Sequence, residues 1–269
     1  MKTTKTAQLL CSLVVGCLAL TAIQANGQTV VNSLDGDIFF GIRAADTTNS
    51  YLVDLGQAST YRDAAPGSTI TISQTIVNGT DISNIEGADW YTRQFNGTHA
   101  TFWAVMGARQ FTDGTDPNNT LYSTNPSTTP WLRHSNSTQG VTRSLYNSLE
   151  TTYNGSISTS NSTTGVEQSN ASQNTWATFQ PGGANSGGIS FQTWNPTNEG
   201  GPSDILYFDR IIPGTGASVQ IGWFTLGSDG TLTFFAEPVP DAVNTASLFA
   251  GALLLLGLLD WQRRRTLSA

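Results

Sequence analysis

Cysteine, lysine and histidine are all but missing from this chain of 269 residues. Its two cysteines, Cys11 and Cys17, both fall in the N-terminal apolar stretch, so the folded body has no disulfide and must be held by core burial. His99 and His134 are the only histidines, and neither has a cysteine or a third histidine beside it. That argues against a zinc site and against a Cys–His nucleophile. Lys2 and Lys5 are the only lysines, and between Gln28 and Ala236 seven arginines meet sixteen carboxylates, a formal charge of −9. Such a surface repels nucleic acid and anionic polysaccharide, and it lacks the basic footprint that nucleic-acid binding requires. There is no Gly-x-Ser-x-Gly elbow and no phosphate-binding glycine loop.

What is present begins with an export signal. Lys2 and Lys5 form a charged n-region, Leu9 to Leu20 an apolar h-region, and small residues follow, with Ala25 or Gly27 as the expected cut. Val14-Val15-Gly16-Cys17 loosely resembles a lipobox, whose use would lipidate Cys17; the Ile23–Gly27 stretch offers the ordinary alternative.

The other end is more informative. Glu237-Pro238-Val239-Pro240-Asp241 leads into an apolar run from Ala246 to Leu259, then Asp260, Trp261 and the cluster Arg263, Arg264, Arg265. A bilayer core needs about 20 apolar helical residues. The run is short, but extended back to Val243 it makes a marginal span, with Trp261 at the interface and the arginines snorkelling to the cytoplasmic headgroups. Leu253, Leu254, Leu255 and Leu256 cover every face of such a helix rather than one stripe, which favours lipid over a core as its surroundings.

These parts in this order resemble the PEP-CTERM and VPDSG-CTERM sorting tails. The matching residues are Val239, Pro240 and Asp241, then Ala246 to Leu259, then Arg263 to Arg265; Ala242 and Val243 stand where that family usually has Ser-Gly, and Asp260 interrupts the helix end. The resemblance implies an exosortase as processing partner, cleavage near the proline-containing element, and a Gram-negative host that makes exopolysaccharide. Gly36-Asp37-Ile38-Phe39-Phe40-Gly41-Ile42-Arg43-Ala44 and Tyr51-Leu52-Val53-Asp54-Leu55-Gly56 also look like the opening strands of many proteins that carry this tail. Those proteins bring no activity with them.

The body between the two ends reads as one β-rich domain, 28–236, flanked by a signal segment, 1–27, and a tail, 237–269. Strand patterns cover Asp37–Ala44, Tyr51–Leu55, Ser68–Val77, Ala100–Gly107, Ile189–Trp194, Ile205–Ile212 and Ala217–Leu226, and the last is joined to Leu232–Phe235 by Gly227-Ser228-Asp229-Gly230. Val141, Leu145 and Leu149 at four-residue spacing predict one helix capped by Ser137 or Thr138, and a helical turn is expected around Ile82–Trp90. Many short strands with Gly- and Asn-rich turns predict an all-β sandwich or jelly-roll-like domain with one or two short helices. Ser123–Thr129, Ser135–Gln139 and Asn154–Asn174 are so poor in apolar residues that they read as surface loops.

Candidate chemistry is sparse. The Asp113-Gly114-Thr115-Asp116-Pro117-Asn118-Asn119 loop is oxygen-rich, so Asp113 and Asp116 are candidates for calcium, although the loop lacks the full EF-hand pattern and an ordinary turn is favoured. Asp204 and Asp209 are a carboxylate pair of the kind a glycosidase needs at a defined separation. Trp103 and Trp223 lie in apolar strands and read as core. Trp131, Trp176 and Trp194 adjoin polar loops, where exposed indoles would stack on sugar rings, or else anchor those loops.

The expectation is therefore a secreted, sorted surface or matrix protein with a structural or adhesive role and no catalysis. A lectin-like carbohydrate-binding module is the alternative, and a glycoside hydrolase comes third. Exopolysaccharide or other envelope glycans are the expected partners, with the membrane reached through the C-terminal helix.

Overall fold

The computed structural model describes residues 32–93, 98–157, 165–180 and 198–238, together with the backbone of a short strand β1, Ile23–Ala25. The sorting motif Val239–Asp241, the apolar run with Leu253–Leu256, the cluster Arg263–Arg265, the expected strand Ile189–Trp194 and most of the signal segment lie outside the described residues.

Strand alternation decides the architecture. In β2 (Asp37–Ala44) Ile38, Phe40 and Ile42 point into one apolar cluster while Phe39 points into another, as the two-residue period requires. β3 (Asn49–Gln57) splits the same way, Val53 to the first cluster and Leu52 to the second. Both sheet faces are thus apolar at the centre. Helix α1 (Ala58–Arg62), β4 (Thr69–Ile72) and α2 (Gly79–Glu86) follow, and then a 3-10 turn at Trp90–Thr92. α2 is capped by Asn78, whose side-chain oxygen accepts from Thr80 N at 2.9 Å. The second half of the chain supplies β5 (Thr101–Ala108), β6 (Leu121–Asn125), α3 (Asn136–Ile157), β7 (Val166–Ser169) and α4 (Trp176–Phe179). It closes with β8 (Leu206–Ile211), β9 (Val219–Leu226) and β10 (Leu232–Ala236).

All these strands join one sheet in the order β1-β4-β10-β9-β8-β6-β5-β2-β3-β7, antiparallel throughout except for β1 beside β4. The fold is mostly β with few short helices, as expected, but hydrogen bonding runs unbroken through a single curled sheet rather than two facing sheets. The physical reason is that helices do the work of a second sheet. Inside the curl, Phe40, Trp103, Phe208, Phe224 and Phe234 pack together, and Tyr61 of α1 closes the space with its ring 5.3 Å from that of Phe234. On the outside, Tyr146, Leu149 and Tyr153 of α3 and Trp176 and Phe179 of α4 cover Phe39, Leu52, Ala104 and Met106.

Three expectations change. The helix is present, but its cap is Ser135, whose hydroxyl accepts from Thr138 N at 3.3 Å. Its buried stripe is Gln139, Thr142, Tyr146, Leu149 and Tyr153, while Val141 is exposed. The tyrosines bring more apolar area, and Tyr146 also finds a polar partner for its hydroxyl in Asp37 O at 2.8 Å. The polar stretches are not simply loops. Ser123–Asn125 complete β6, Asn136–Gln139 begin α3, and Val166–Ser169 pair with β3. Within α3 the hydroxyls of Ser144, Ser148, Thr151, Thr152 and Ser156 each turn back onto the carbonyl four residues earlier. A Ser/Thr-rich run thereby satisfies itself as a helix.

Candidate functional site

The oxygen-rich loop is occupied by protein cations. Asp116 is fully buried; one carboxylate oxygen accepts from Arg210 Nε at 2.6 Å, and the other from Tyr122 Oη at 2.5 Å and from Arg62. Asp113 accepts from the backbone N–H groups of Asp116 and Thr115 at 2.6 and 2.9 Å, and its other oxygen lies 3.3 Å from both Arg62 and Arg109. Burial pushes the Asp113 carboxyl up, but those backbone donors and Arg62 outweigh it and hold the group at about 2. Arginine groups thus fill the places that a cation would take at the weak calcium candidates Asp113 and Asp116. Among the described residues no cluster of His, Cys, Asp and Glu is arranged to hold a metal ion.

Asp204 and Asp209 serve separate loops. Asp204 accepts from Gly201 N at 2.7 Å. Asp209, fully buried, accepts from Trp131 N at 2.7 Å and from Ser218 Oγ at 2.8 Å. The tightest carboxylate grouping is one that the sequence did not flag. Asp37 and Asp54, on the neighbouring strands β2 and β3, are 3% and 2% exposed. Asp37 accepts from Leu34 N at 2.7 Å and from the Gln57 amide; Asp54 accepts from Gly56 N at 2.7 Å, and its carboxyl also hydrogen-bonds to that of Asp37. Burial, reinforced by the Asp37 charge, pushes Asp54 up to about 8, and burial also raises Asp37 and Glu150. Glu86 forms a second such place: burial takes it to about 8, and only one of its oxygens is bonded, accepting from Thr47 Oγ1 at 2.8 Å. Asp54 and Glu86, sealed in this way, keep their protons at neutral pH and act as part of the core.

The tryptophans exchange roles. Trp131 and Trp176, expected either to stack on sugars or to anchor their loops, are 2% and 0% exposed and belong to the outer apolar cluster, which leaves the anchoring role. Trp131 anchors its loop by donating Nε1–H to Thr124 O at 3.2 Å. Trp176 is seated where Gly41 leaves room on β2. Trp194 lies outside the described residues. Trp103 is core, as expected, its Nε1–H donating to Gly201 O at 2.7 Å. Trp223, also expected in the core, is instead half-buried on the opposite side of the sheet, its ring stacked against Phe235 at 5.5 Å between centroids. The signal was available in Trp223-Phe224 and Phe234-Phe235: adjacent aromatics on one strand must face opposite sides.

The histidines stand apart. His99 is exposed and its Nδ1 lies 2.8 Å from Asp46 Oδ2, while Asp46 is also paired with Arg93 at 2.8 Å. His134 is on the loop before α3, its carbonyl accepting from Gly214 N at 2.8 Å. No protein-family model, curated protein or solved structure matches this chain.

Proposed function

We propose that this chain is an exported bacterial surface or extracellular-matrix protein, delivered by an exosortase-type sorting tail, with a structural or adhesive role and no catalysis. The observation that carries this reading is the order Val239-Pro240-Asp241, apolar Ala246–Leu259, then Arg263–Arg265. The signal segment at 1–27 supports it, because it hands the body to the same side of the membrane that such a tail requires. In this reading 1–27 is removed as a signal peptide, taking with it the short edge strand β1, and 237–269 holds the protein at the outer face through its apolar helix until the exosortase cuts near Pro240.

The body fits that setting in its chemistry. An acidic, disulfide-free domain, with buried Asp116 matched to arginines and Asp54 kept protonated, depends on no thiol chemistry for its stability.

The test is fractionation and intact-mass analysis of the chain expressed in an exosortase-bearing host and in the same host with the exosortase deleted. The expected result is a mature chain starting after Ala25 or Gly27 and ending near Pro240 in the first, and an uncut membrane-bound chain in the second. Recovery of the full-length polypeptide from the cytosol of both strains would overturn the reading.

A further inference from the structure

α3 and α4 cover the outside of the sheet over β2, β3, β5 and β7. The other half of that same face is built differently. On β8, β9, β10 and β4 the side chains opposite the inner core fall into two rows in strand register. One row is Tyr207–Trp223–Phe235–Thr69, the other Thr225–Thr233–Thr71. All seven are half-buried, neither row carries a formal charge, and none of their hydroxyls is spent on a hydrogen bond within the described structure. Trp223 and Phe235 are held parallel, 9° apart, so their orientation is fixed before any ligand arrives.

We infer that this face binds a neutral polysaccharide chain, with Trp223 and Phe235 as the stacking surface and the threonine row as its hydrogen-bonding flank. A contiguous row of half-buried aromatic side chains left uncovered by either helix is the kind of surface that takes a ligand or partner. Trp223 and Phe235 spend one ring face on each other, so the pair offers a pyranose its remaining faces and edges, and the negative quadrupole charge of a ring face attracts the partly positive C–H groups of the sugar. Each threonine hydroxyl both donates and accepts, which suits a ligand made of hydroxyls. Charge selects among sugars: the two rows offer no cation to a uronic acid, and the domain's net charge of −9 between Gln28 and Ala236 repels one. Rings fixed by the cross-strand stack lose little freedom on binding, so the contact energy is retained. The inference deepens the matrix-protein reading and rests on it for the setting in which a polysaccharide is met.

The experiment uses the full chain in a detergent without a sugar headgroup, incubated with insoluble swollen cellulose, curdlan and mannan and, separately, with alginate beads. Saturable retention on at least one neutral glycan and none on alginate is expected. Trp223→Ala and Phe235→Ala should each weaken retention at least tenfold, as central aromatic contacts do. The double variant Thr225→Val, Thr233→Val keeps strand propensity and shape, so it tests the face even where an aromatic truncation unfolds the domain; a several-fold loss is expected. Retention on alginate alone, no retention on any neutral glycan, or wild-type retention by the threonine double variant would each overturn the inference. So would a dimer that Trp223→Ala dissociates in the absence of any glycan retention, since a second copy would then be the occupant. Failed export with intact glycan retention overturns the localisation reading alone.

Discussion

A methyl group on Gly41 would come within 2.1 Å of Trp176 Cε2. The indole of a four-residue helix therefore lies directly on the backbone of β2, and the smallest residue in the strand exists to admit the largest residue above it.

Gly41→Ala forces the indole off the strand. Overpacking of this kind costs about 1–3 kcal/mol, and Trp176→Ala, which leaves a cavity, about 3–5 kcal/mol. The two changes share one contact, so the double variant Gly41→Ala, Trp176→Ala should lose less than the sum of the single losses. Denaturant midpoints for the four proteins check this; strictly additive losses would mean that the pair is not packed as described.

Much of this architecture was legible in the sequence, and the places where it was not share a cause. β2, β3, β5 and the β9–β10 hairpin were marked by apolar alternation and by Gly227-Ser228-Asp229-Gly230, where Gly227 N donates to Thr231 O at 2.8 Å and Gly230 has a positive φ of 84°. β7 was not, because only Val166 of its four residues carries apolar weight; it is recruited by pairing with β3, and Gln168 is drawn in by accepting from Trp176 N at 2.8 Å. Trp131 and Trp176 were read from their polar neighbours in sequence, whereas burial is decided by what lies across the sheet. Asp116 is a calcium candidate in sequence, if a weaker reading than an ordinary turn, and the arginines that meet it, Arg62 and Arg210, are remote in sequence. Long-range partners, not local pattern, separated the right readings from the wrong ones.

The same Asp116 cage yields a prediction about ions. Asp116→Asn leaves Arg62 and Arg210 without their buried counter-charge, and breaking such a pair costs about 3–5 kcal/mol. Calcium or a chelator should leave the melting temperature unchanged, because no carboxylate oxygen of Asp116 is open. A rise in melting temperature with calcium that is lost in Asp116→Asn would contradict the cage.

Stability should depend on pH in a sense opposite to that of ordinary carboxylates. Asp54 and Glu86 titrate near 8 in the fold against ordinary values of 3.8 and 4.5, both through burial. Between about pH 4 and 8 the folded chain holds these protons and the unfolded chain does not, so their contribution is complete below the unfolded values and is lost as pH rises through the folded ones. Each group changes stability by about 1.4 kcal/mol per pH unit in that window. Asp37 and Glu150 act on Asp54, Arg109 acts on Asp37, and Arg93, Asp46 and Arg43 act on Glu86, so the two slopes need not be equal. Below about pH 4 the trend reverses, because Asp46, Asp63, Asp89, Asp113 and Asp229, all held low by hydrogen bonds and cations, begin to protonate. The melting temperature should peak near pH 4–5 and fall toward pH 8. Asp54→Asn and Glu86→Gln should each flatten that fall; an unchanged slope in both variants would show that these carboxyls are ionised in the fold.

The last prediction concerns the tail. Arginines on the cytoplasmic flank oppose translocation, and an apolar run this short has little hydrophobic energy to spare for stopping on its own. Replacing Arg263, Arg264 and Arg265 together with glutamine removes the stop while leaving Val239-Pro240-Asp241 and Leu253–Leu256 intact. On the proposed sorting function, the variant should be released into the periplasm with its tail uncut, since an exosortase would act in the membrane and meet only a segment that pauses there. Pro240→Ala should do the reverse, keeping the chain membrane-bound but slowing the cut. Intact mass and fraction together separate the two, because a stop defect changes the compartment and a recognition defect changes the terminus. Normal cutting and release in both variants would leave the C-terminal order without a role in sorting, and the fold would then have to be explained in some other compartment.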